Sequence, residues 1–185
     1  MDVDIDFGNR DLILDKLDHT IASLKNKSKH NTGVYVTSIP KDPLSNQCTV
    51  HYKEAAERGY FKLDFLNVSV YNEVQSEEHL QALMNQEPDW KLLENRQFVD
   101  RLFHLSGYSN LTHKLKPTSI PQLAAVLAII RPSKKYLLNK DWTTILKEIW
   151  LKPDDGSYYF KKAHATSYAV AVVVQMNLLS SISKN

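Results

Sequence analysis

Val3-Asp4-Ile5-Asp6-Phe7 alternates strictly between apolar and acidic side chains. Alternate side chains of a β-strand leave opposite faces, so the pattern predicts a strand with one apolar and one acidic face. Asp2, Asp4 and Asp6 then share the acidic face, at backbone positions about 6.6–7 Å apart. Such carboxylates repel one another, so a cation is expected there. Two Mg²⁺ ions shared by the carboxylates are one interpretation, and a solvated acidic edge is the other.

A second stretch, Tyr60-Phe61-Lys62-Leu63-Asp64-Phe65-Leu66, places one carboxylate within an otherwise apolar strand. Burial of an unpaired carboxylate is costly, so Asp64 needs a positive partner. A metal ion meets that need, and so does an ion pair with Lys62, whose side chain leaves the same face. An Asp-x-Asp strand beside a strand with a third aspartate is a recurring layout in nucleotidyl transfer, which makes both interpretations worth testing.

The composition is that of an ordinary intracellular globular protein. The chain has 185 residues and a mass of 21.3 kDa, which suits one domain or two lobes. Its single cysteine, Cys48, excludes an intramolecular disulfide, and no Cys/His pattern predicts a zinc site. The acidic N-terminus lacks the basic region of a signal peptide. The longest apolar run, 169–174, is far below the ~20 residues that cross a bilayer, so we expect no membrane contact.

Charge is distributed unevenly along the chain. Residues 1–110 hold 12 Lys/Arg and 17 Asp/Glu, whereas residues 111–185 hold 11 Lys/Arg and 4 Asp/Glu. The first part is therefore net acidic and the second net basic. Such asymmetry fits an acidic active site beside a nucleic-acid-binding surface, and it equally fits a solvated basic surface.

Periodicity predicts a small α/β platform followed by a helical half. We expect strands at 3–7, 33–37, 48–52 and 60–66, a helix at 10–24, and a loop at 25–32. Further helices are expected after Ser76, Asp89, Thr118 or Ser119, and Asp141, and a last apolar helix at about 161–180. The predicted domains are a catalytic platform at 1–75 and a basic, helical lobe at 76–185.

Five blocks of the sequence follow the motif order of a known family. They are DVDIDF at 2–7 (followed by Arg10-Asp11), KHNTGV at 29–34, YFKLDFL at 60–66, the region 103–132, and FKKAHATSYA at 160–169. The corresponding motifs are PDxDxDF, KHAGGV, GLxKxDFLGL, FQLES through ALxRPG, and FxKxHAxAYA. In this respect the chain resembles the alpha subunit of bacterial DNA polymerase III, a family C DNA polymerase.

The resemblance implies an α+β fold with a palm sheet related to polymerase β nucleotidyltransferases and an appended, fingers-like helical lobe. It implies that Asp4, Asp6 and Asp64 are catalytic and bind two Mg²⁺ ions, with Asp2 as a further metal ligand. The implied activity is DNA-templated addition of deoxynucleotides to a primer 3′ end. The implied setting is the cytoplasm of a bacterium or of a virus-infected bacterial cell.

Basic residues within or near the matched blocks are candidates for binding the substrates. Those expected to contact the nucleotide or the primer are Lys62, Lys29, His30, Arg131, Lys161, Lys162 and His164. Those expected to follow the DNA backbone are Lys114, Lys116, Lys134 and Lys135, which predicts binding that depends on salt and not on base sequence. The expected partners are primer-template DNA and deoxynucleoside triphosphates.

The sequence also departs from the family pattern. The chain is much shorter, and the glycine-serine motif that grips the triphosphate is absent from it, so a second polypeptide is expected to supply that segment. Asn67 and Ser133 stand where the motifs have glycine. The alternative function is a catalytically silent DNA-binding or replisome-assembly subunit. A metal-dependent nuclease or template-independent transferase is a third reading of the same carboxylates.

Overall fold

The computed structural model describes residues 3–155 and 157–182. The chain divides into two compact units, Met1–Asn72 and Glu73–Asn185. The division falls close to the boundary predicted after residue 75. Among the described residues, every strand lies in the first unit, and the second unit is helical. None of the described helices is long and apolar enough to cross a bilayer.

The first unit is built on a five-stranded mixed sheet. Its strands are β1 (Val3–Phe7), β2 (Thr20–Ser23), β3 (Lys29–Tyr35), β4 (Gln47–His51) and β5 (Leu63–Asn67). Their order across the sheet is β1-β5-β3-β2-β4. The β1–β5 and β2–β4 pairs are parallel, and β3 runs antiparallel to both of its neighbours, β2 and β5. Sheet and helices together confirm the predicted α+β class.

Two short helices belong to this unit, α1 (Asp11–Leu14) and α2 (Tyr52–Glu57). One cluster of buried residues joins the strands, α2 and one loop, and it contains Ala22, Tyr35, Ile39, Cys48 and Ala55. Val34, Phe65, Val68 and Val70 of the same unit are buried as well.

The helix predicted at 10–24 is wrong over most of its length. Its first part forms α1, but Thr20–Ser23 is a strand between β3 and β4. Ile21 fits a helical spacing of apolar residues, but in the structure it lies with Ala22 in β2. Pairing with two strands satisfies the backbone and outweighs the weak helical preference of a β-branched segment.

The strand and loop predicted around residue 33 are also shifted. The predicted loop at 25–32 contributes its last four residues to β3, which ends at Tyr35 and not at Thr37. This polar segment forms a strand because its backbone pairs with β2 and β5. Its register against β2 is irregular: Ile21 faces Val34, whereas Ser23 faces Lys29. The four residues between Lys29 and Val34 therefore bulge, and this bulge shapes the candidate site.

The second unit contains six α-helices among its described residues. They are α3 (Glu77–Asn85), α4 (Arg96–Val99), α5 (Ser109–Leu115), α6 (Ile120–Ile129), α7 (Trp142–Glu148) and α8 (Lys162–Ile182). The predicted starts are confirmed for three of them: Ser76, Ser119 and Asp141 are the N-caps and accept hydrogen bonds from the first turns of α3, α6 and α7.

The helix predicted after Asp89 is broken into shorter pieces. Asp89 does accept a hydrogen bond from the Lys91 amide, but a 3₁₀ helix follows it and ends at Glu94. Asn95 then caps the short α4 by accepting from the Phe98 amide at 3.2 Å. The Asn95 side chain bonds the backbone and so stabilises a break in the helix. For this reason the apolar periodicity predicted a longer helix than the structure has.

The core of the second unit lies between α6 and α8. Leu123, Leu127, Val172 and Met176 are all buried in it. Two polar residues of α8 reach out of this core: the Gln175 side chain bonds the backbone of Arg101 and Phe103, and the Asn177 side chain bonds that of Leu83 and Gln86. These hydrogen bonds tie the C-terminal end of α3 and the segment 101–103 to α8.

Candidate active site

The register of two neighbouring strands aligns the predicted aspartates. In the parallel β1–β5 pair, Asp4 lies directly opposite Asp64. Residues paired in this way point to the same face of a sheet, with strands about 4.8 Å apart. Asp6 is two residues further along β1 and shares that face. Asp4 is exposed, Asp6 is partly buried and Asp64 is buried. Asp2 lies outside the described residues.

Protein donors occupy both oxygens of the Asp64 carboxylate. The Lys62 ammonium donates to Oδ2, and the Thr32 hydroxyl donates to Oδ1 at 2.7 Å. Lys62 is 6% exposed and Asp64 is 7% exposed, so this is a buried ion pair. The predicted pair between Lys62 and Asp64 is therefore present, but it is buried and not on the surface.

The bulge of β3 brings Thr32 to Asp64. Within the bulge, Nδ1 of His30 accepts a hydrogen bond from the Gly33 amide at 2.9 Å. Because that nitrogen acts as an acceptor, its 3.8 Å approach to Asp64 Oδ1 is a close contact and not a hydrogen bond. The His30 ring also packs edge-on against Tyr52, at 5.3 Å between centroids. His30 thus shapes the backbone around Asp64.

Gly33 makes room for Lys62. A Cβ at this position would lie 2.7 Å from Cδ of Lys62, 3.0 Å from the His30 ring and 3.2 Å from Ala22 Cβ. The Lys62 stem therefore crosses the sheet where the glycine has no side chain. This close approach, rather than any unusual backbone angle, explains the need for glycine here.

Replacing Gly33 with alanine is expected to destabilise the protein by about 1–3 kcal/mol, the usual range for overpacking. The methyl group would push Lys62 away from Asp64. Urea denaturation measures the change in the free energy of unfolding. Asn31→Ala, at an exposed position of the same strand, is the matched control and should stay within about 0.5 kcal/mol of wild type. Equal losses in the two variants would contradict the close packing of Lys62 over Gly33.

Asp6 stands near Tyr71, which follows β5. Burial raises the pKa of Tyr71, and the negative charge of Asp6 raises it further. On the opposite face from the aspartates, Phe7 of β1 contacts Phe65 of β5, with 5.0 Å between the ring centroids. The two acid-bearing strands are thus joined by an aromatic contact, which holds their relative position.

Arg10 is a structural residue that the site predictions missed. Its guanidinium donates to the carbonyl oxygens of Asn31 and Phe65, and its backbone amide donates to Oδ1 of Asn67 at 2.8 Å. Arg10 therefore ties the segment after β1 to β5 and to the bulge. The sequence signal was available, since Arg10 belongs to the first matched block, but its role depends on contacts that are distant along the chain.

Lys29, predicted to contact nucleotide or primer, is exposed at the start of β3. It lines an open cavity of about 450 Å³ together with Arg10, His19, His30 and other residues. Asp11 of α1 and Asp15, which follows α1, line the same cavity, so its charge is mixed. A cavity lined by both basic and acidic side chains can contact a polar ligand, but its charge does not favour an anion over a cation.

The donor set of the acidic face suits Mg²⁺, which prefers carboxylate oxygens. Asp4, Asp6 and Asp64 supply such oxygens from one face of two adjacent strands. Among the described residues, however, no group of three acidic, histidine or cysteine side chains is placed to hold a metal ion. The carboxylates thus have the chemistry and the strand register that suit a divalent cation, but they are not gathered around one point, and Asp64 bonds to Lys62 and Thr32.

A second set of predicted residues lies in the helical unit. The Arg131 guanidinium stands over the Phe160 ring, 4.9 Å from its centroid. With His104, these residues line a cavity of about 230 Å³. His164 stacks against Phe160 at 6.3 Å between centroids. Lys161 and Lys162 are exposed at the start of α8. The cavity thus offers a cation and aromatic surfaces to a ligand.

His104 was not predicted as a site residue. Its ring stacks on that of Tyr168, at 4.7 Å between centroids and 18° between planes. Burial lowers the pKa of His104, and the positive charge of Arg131 lowers it further. Its backbone φ of 58° is left-handed, which is uncommon outside glycine. A sequence pattern gives no signal for such a conformation.

The four lysines predicted to follow DNA differ in their surroundings. Lys135 is exposed, Lys114 bonds Asn139, and Lys116 forms an exposed ion pair with Glu94 at 3.4 Å. Lys134 is 3% exposed, and its ammonium donates to the carbonyl oxygens of Glu148 and Leu151 at 3.1 and 2.6 Å. Lys134 thus caps the end of α7, and its buried ammonium is not available to DNA, contrary to the prediction.

Substituting Lys134 with methionine is expected to cost about 1.5–3 kcal/mol of stability, because it removes hydrogen bonds to a charged donor. DNA affinity should not change. Lys135→Met is the matched control: Lys135 is exposed, so this variant should lose DNA affinity with little change in stability. Thermal denaturation and a DNA-binding titration measure both properties. A Lys134 variant with normal stability and weakened DNA binding would refute the capping role.

Comparisons with known proteins supply no relative. A scan against protein-family models, a search of curated proteins and a search of solved structures each found no significant match. The likeness to family C polymerases therefore rests on the five sequence blocks alone.

Proposed function

We propose that this chain is a DNA polymerase core of the family C type, with a polymerase-β-like palm in its first unit. The observation that carries the proposal is the register of β1 and β5, which aligns Asp4 with Asp64 and places Asp6 on the same face. Carboxylate oxygens on one face of two adjacent strands are the kind of ligand that a divalent cation prefers. The motif resemblance supports the same activity.

In this proposal Asp4, Asp6 and Asp64 hold two Mg²⁺ ions, with Asp2 as a further ligand. Bound there, the ions supply activation of the primer 3′-hydroxyl and stabilisation of the charge that develops on the transferred phosphate. The protein contributes the rigid pairing of two strands, the Phe7–Phe65 contact behind them and the Arg10 contacts around them. Pre-set ligand positions reduce the reorganisation needed during reaction.

The helical unit is proposed to bind the polyanionic substrates. Arg131 beside Phe160, with Lys161, Lys162 and His164 nearby on the chain, provides cationic groups and aromatic faces that suit a nucleoside triphosphate. Lys114, Lys116 and Lys135 are proposed to contact the phosphates of primer-template DNA. These contacts are made to phosphates and do not depend on base sequence. Binding of DNA should therefore weaken steeply as the salt concentration rises.

Primer extension tests the proposal directly. The purified chain is incubated with primer-template DNA, Mg²⁺ and four deoxynucleoside triphosphates, with EDTA as the metal-free control. Extension that follows the template and vanishes with EDTA supports polymerase activity. Primer shortening indicates a nuclease, and extension without a template indicates a terminal transferase. Either of these outcomes would replace the proposed reaction.

The second candidate function is a catalytically silent DNA-binding or replisome-assembly subunit. It is favoured by one observation: Lys62 and Thr32 satisfy Asp64 without a metal ion. Salt-sensitive DNA binding that is unaffected by EDTA, together with no extension, would select this candidate. A second polypeptide that restores extension would instead support a split polymerase.

A further inference from the structure

The environment of Asp64 differs from that of the other two aspartates. Asp4 is exposed and Asp6 is partly buried, whereas Asp64 is buried and bonded through both oxygens. The Lys62 ammonium on Oδ2 carries a full positive charge. A divalent cation that approaches Asp64 therefore meets electrostatic repulsion from a neighbour already in place.

The position of Lys62 is built into the sheet. Its stem passes over Gly33, where a methyl group would collide with Cδ. Its ammonium lies 5.9 Å from the centroid of the Tyr52 ring, on which a cation is also favourable. Three features of the first unit thus support one lysine conformation: the missing side chain at Gly33, the Tyr52 ring and the Asp64 carboxylate.

We propose that Lys62 is a built-in competitor of the metal: a divalent cation binds Asp64 only when the Lys62 ammonium leaves its carboxylate. Thr32 is the positioning residue that holds Oδ1 in both situations, because a hydroxyl donor is compatible with a charged carboxylate and carries no net charge. The inference rests on the proposed function, since it concerns the metal site of that reaction. The inference predicts that the wild-type chain binds metal weakly and that Lys62 becomes more accessible to solvent when metal is bound.

Mn²⁺ binding tests the competition. Titration is followed by the electron paramagnetic resonance signal of free Mn²⁺, for wild type, Lys62→Met and Lys53→Met. Lys53 is exposed on α2 and controls for the loss of one positive charge. We expect Lys62→Met to bind Mn²⁺ about 10- to 100-fold more tightly than Lys53→Met, because it removes the unit positive charge that repels the cation at the Asp64 carboxylate itself. Equal affinities would overturn the inference.

A measurement on the wild-type chain does not depend on whether Lys62→Met folds. An amine-acetylating reagent is applied with and without Mn²⁺, and modification of individual lysines is quantified by mass spectrometry. Lys62 is expected to be protected without metal and labelled several-fold more with it, while Lys53 is labelled equally in both conditions. Thr32→Val should bind Mn²⁺ more weakly and leave the metal-dependent labelling of Lys62 in place.

The two ideas can fail separately. If Mn²⁺ binds wild type but not Asp64→Asn, and Lys62 stays protected, the competition is wrong and the proposed metal site stands. If neither wild type nor Lys62→Met binds Mn²⁺ in a way that depends on Asp64, the metal site is wrong and the competition falls with it.

Discussion

Asp64→Asn is expected to slow primer extension about 10³-fold and to destabilise the fold as well. The loss of rate follows because a metal ligand is worth several kcal/mol of transition-state stabilisation, at 1.36 kcal/mol per factor of ten. The loss of stability follows because Lys62 is left buried without its counter-charge. Breaking a buried pair in this way typically costs about 3–5 kcal/mol.

A double variant separates these two effects. Lys62→Met combined with Asp64→Asn removes both charges and should recover much of the lost stability, while extension stays abolished. Urea denaturation gives the free energy of unfolding, and primer extension under single-turnover conditions gives the rate. A non-zero coupling energy between the two sites is expected. If stability were lost additively, the buried ion pair would not be the cause.

Asp4→Asn is expected to reduce extension by a similar factor of about 10³ with no loss of stability. Asp4 is exposed on the edge strand β1 and lies opposite Asp64, so its neutralisation relieves repulsion between the two carboxylates. Unfolding free energy should stay within about 0.5 kcal/mol of wild type, or rise slightly. Asp4 thus gives a cleaner test of chemistry than Asp64.

Asp18→Asn is the matched control for Asp4→Asn. It removes one carboxylate from a position between α1 and β2, away from both acid-bearing strands. It should extend primers at the wild-type rate. Equal losses of activity in the two variants would show that the net charge of the first unit matters, and not the aligned aspartates.

The features that sequence predicted well are those set by local chemistry. Strict alternation gave β1, and side-chain caps at Ser76, Ser119 and Asp141 gave three helix starts. These features depend on residues that are adjacent or nearly adjacent. The alignment of Asp4 with Asp64 was indicated by their strand positions, but its register depends on pairing across some sixty residues and needed the structure.

The features that sequence missed depend on tertiary contacts. Ile21 and Ala22 follow a helical spacing, yet pairing with β3 and β4 makes them part of a strand. The bulge at His30 to Gly33 depends on an imidazole that accepts from a backbone amide. Lys134 has the sequence context of a surface lysine, and only the packing around α7 shows that it is buried.

The most direct test of the central claim is primer extension by wild type and Asp4→Asn in the presence of Mg²⁺. The stability and the DNA affinity of both proteins are measured beside it and should be equal. We predict template-directed extension by wild type and about 10³-fold less by Asp4→Asn. Extension at equal rates by the two proteins, or salt-sensitive DNA binding with no extension by wild type, would contradict the claim that this acidic face carries out nucleotidyl transfer.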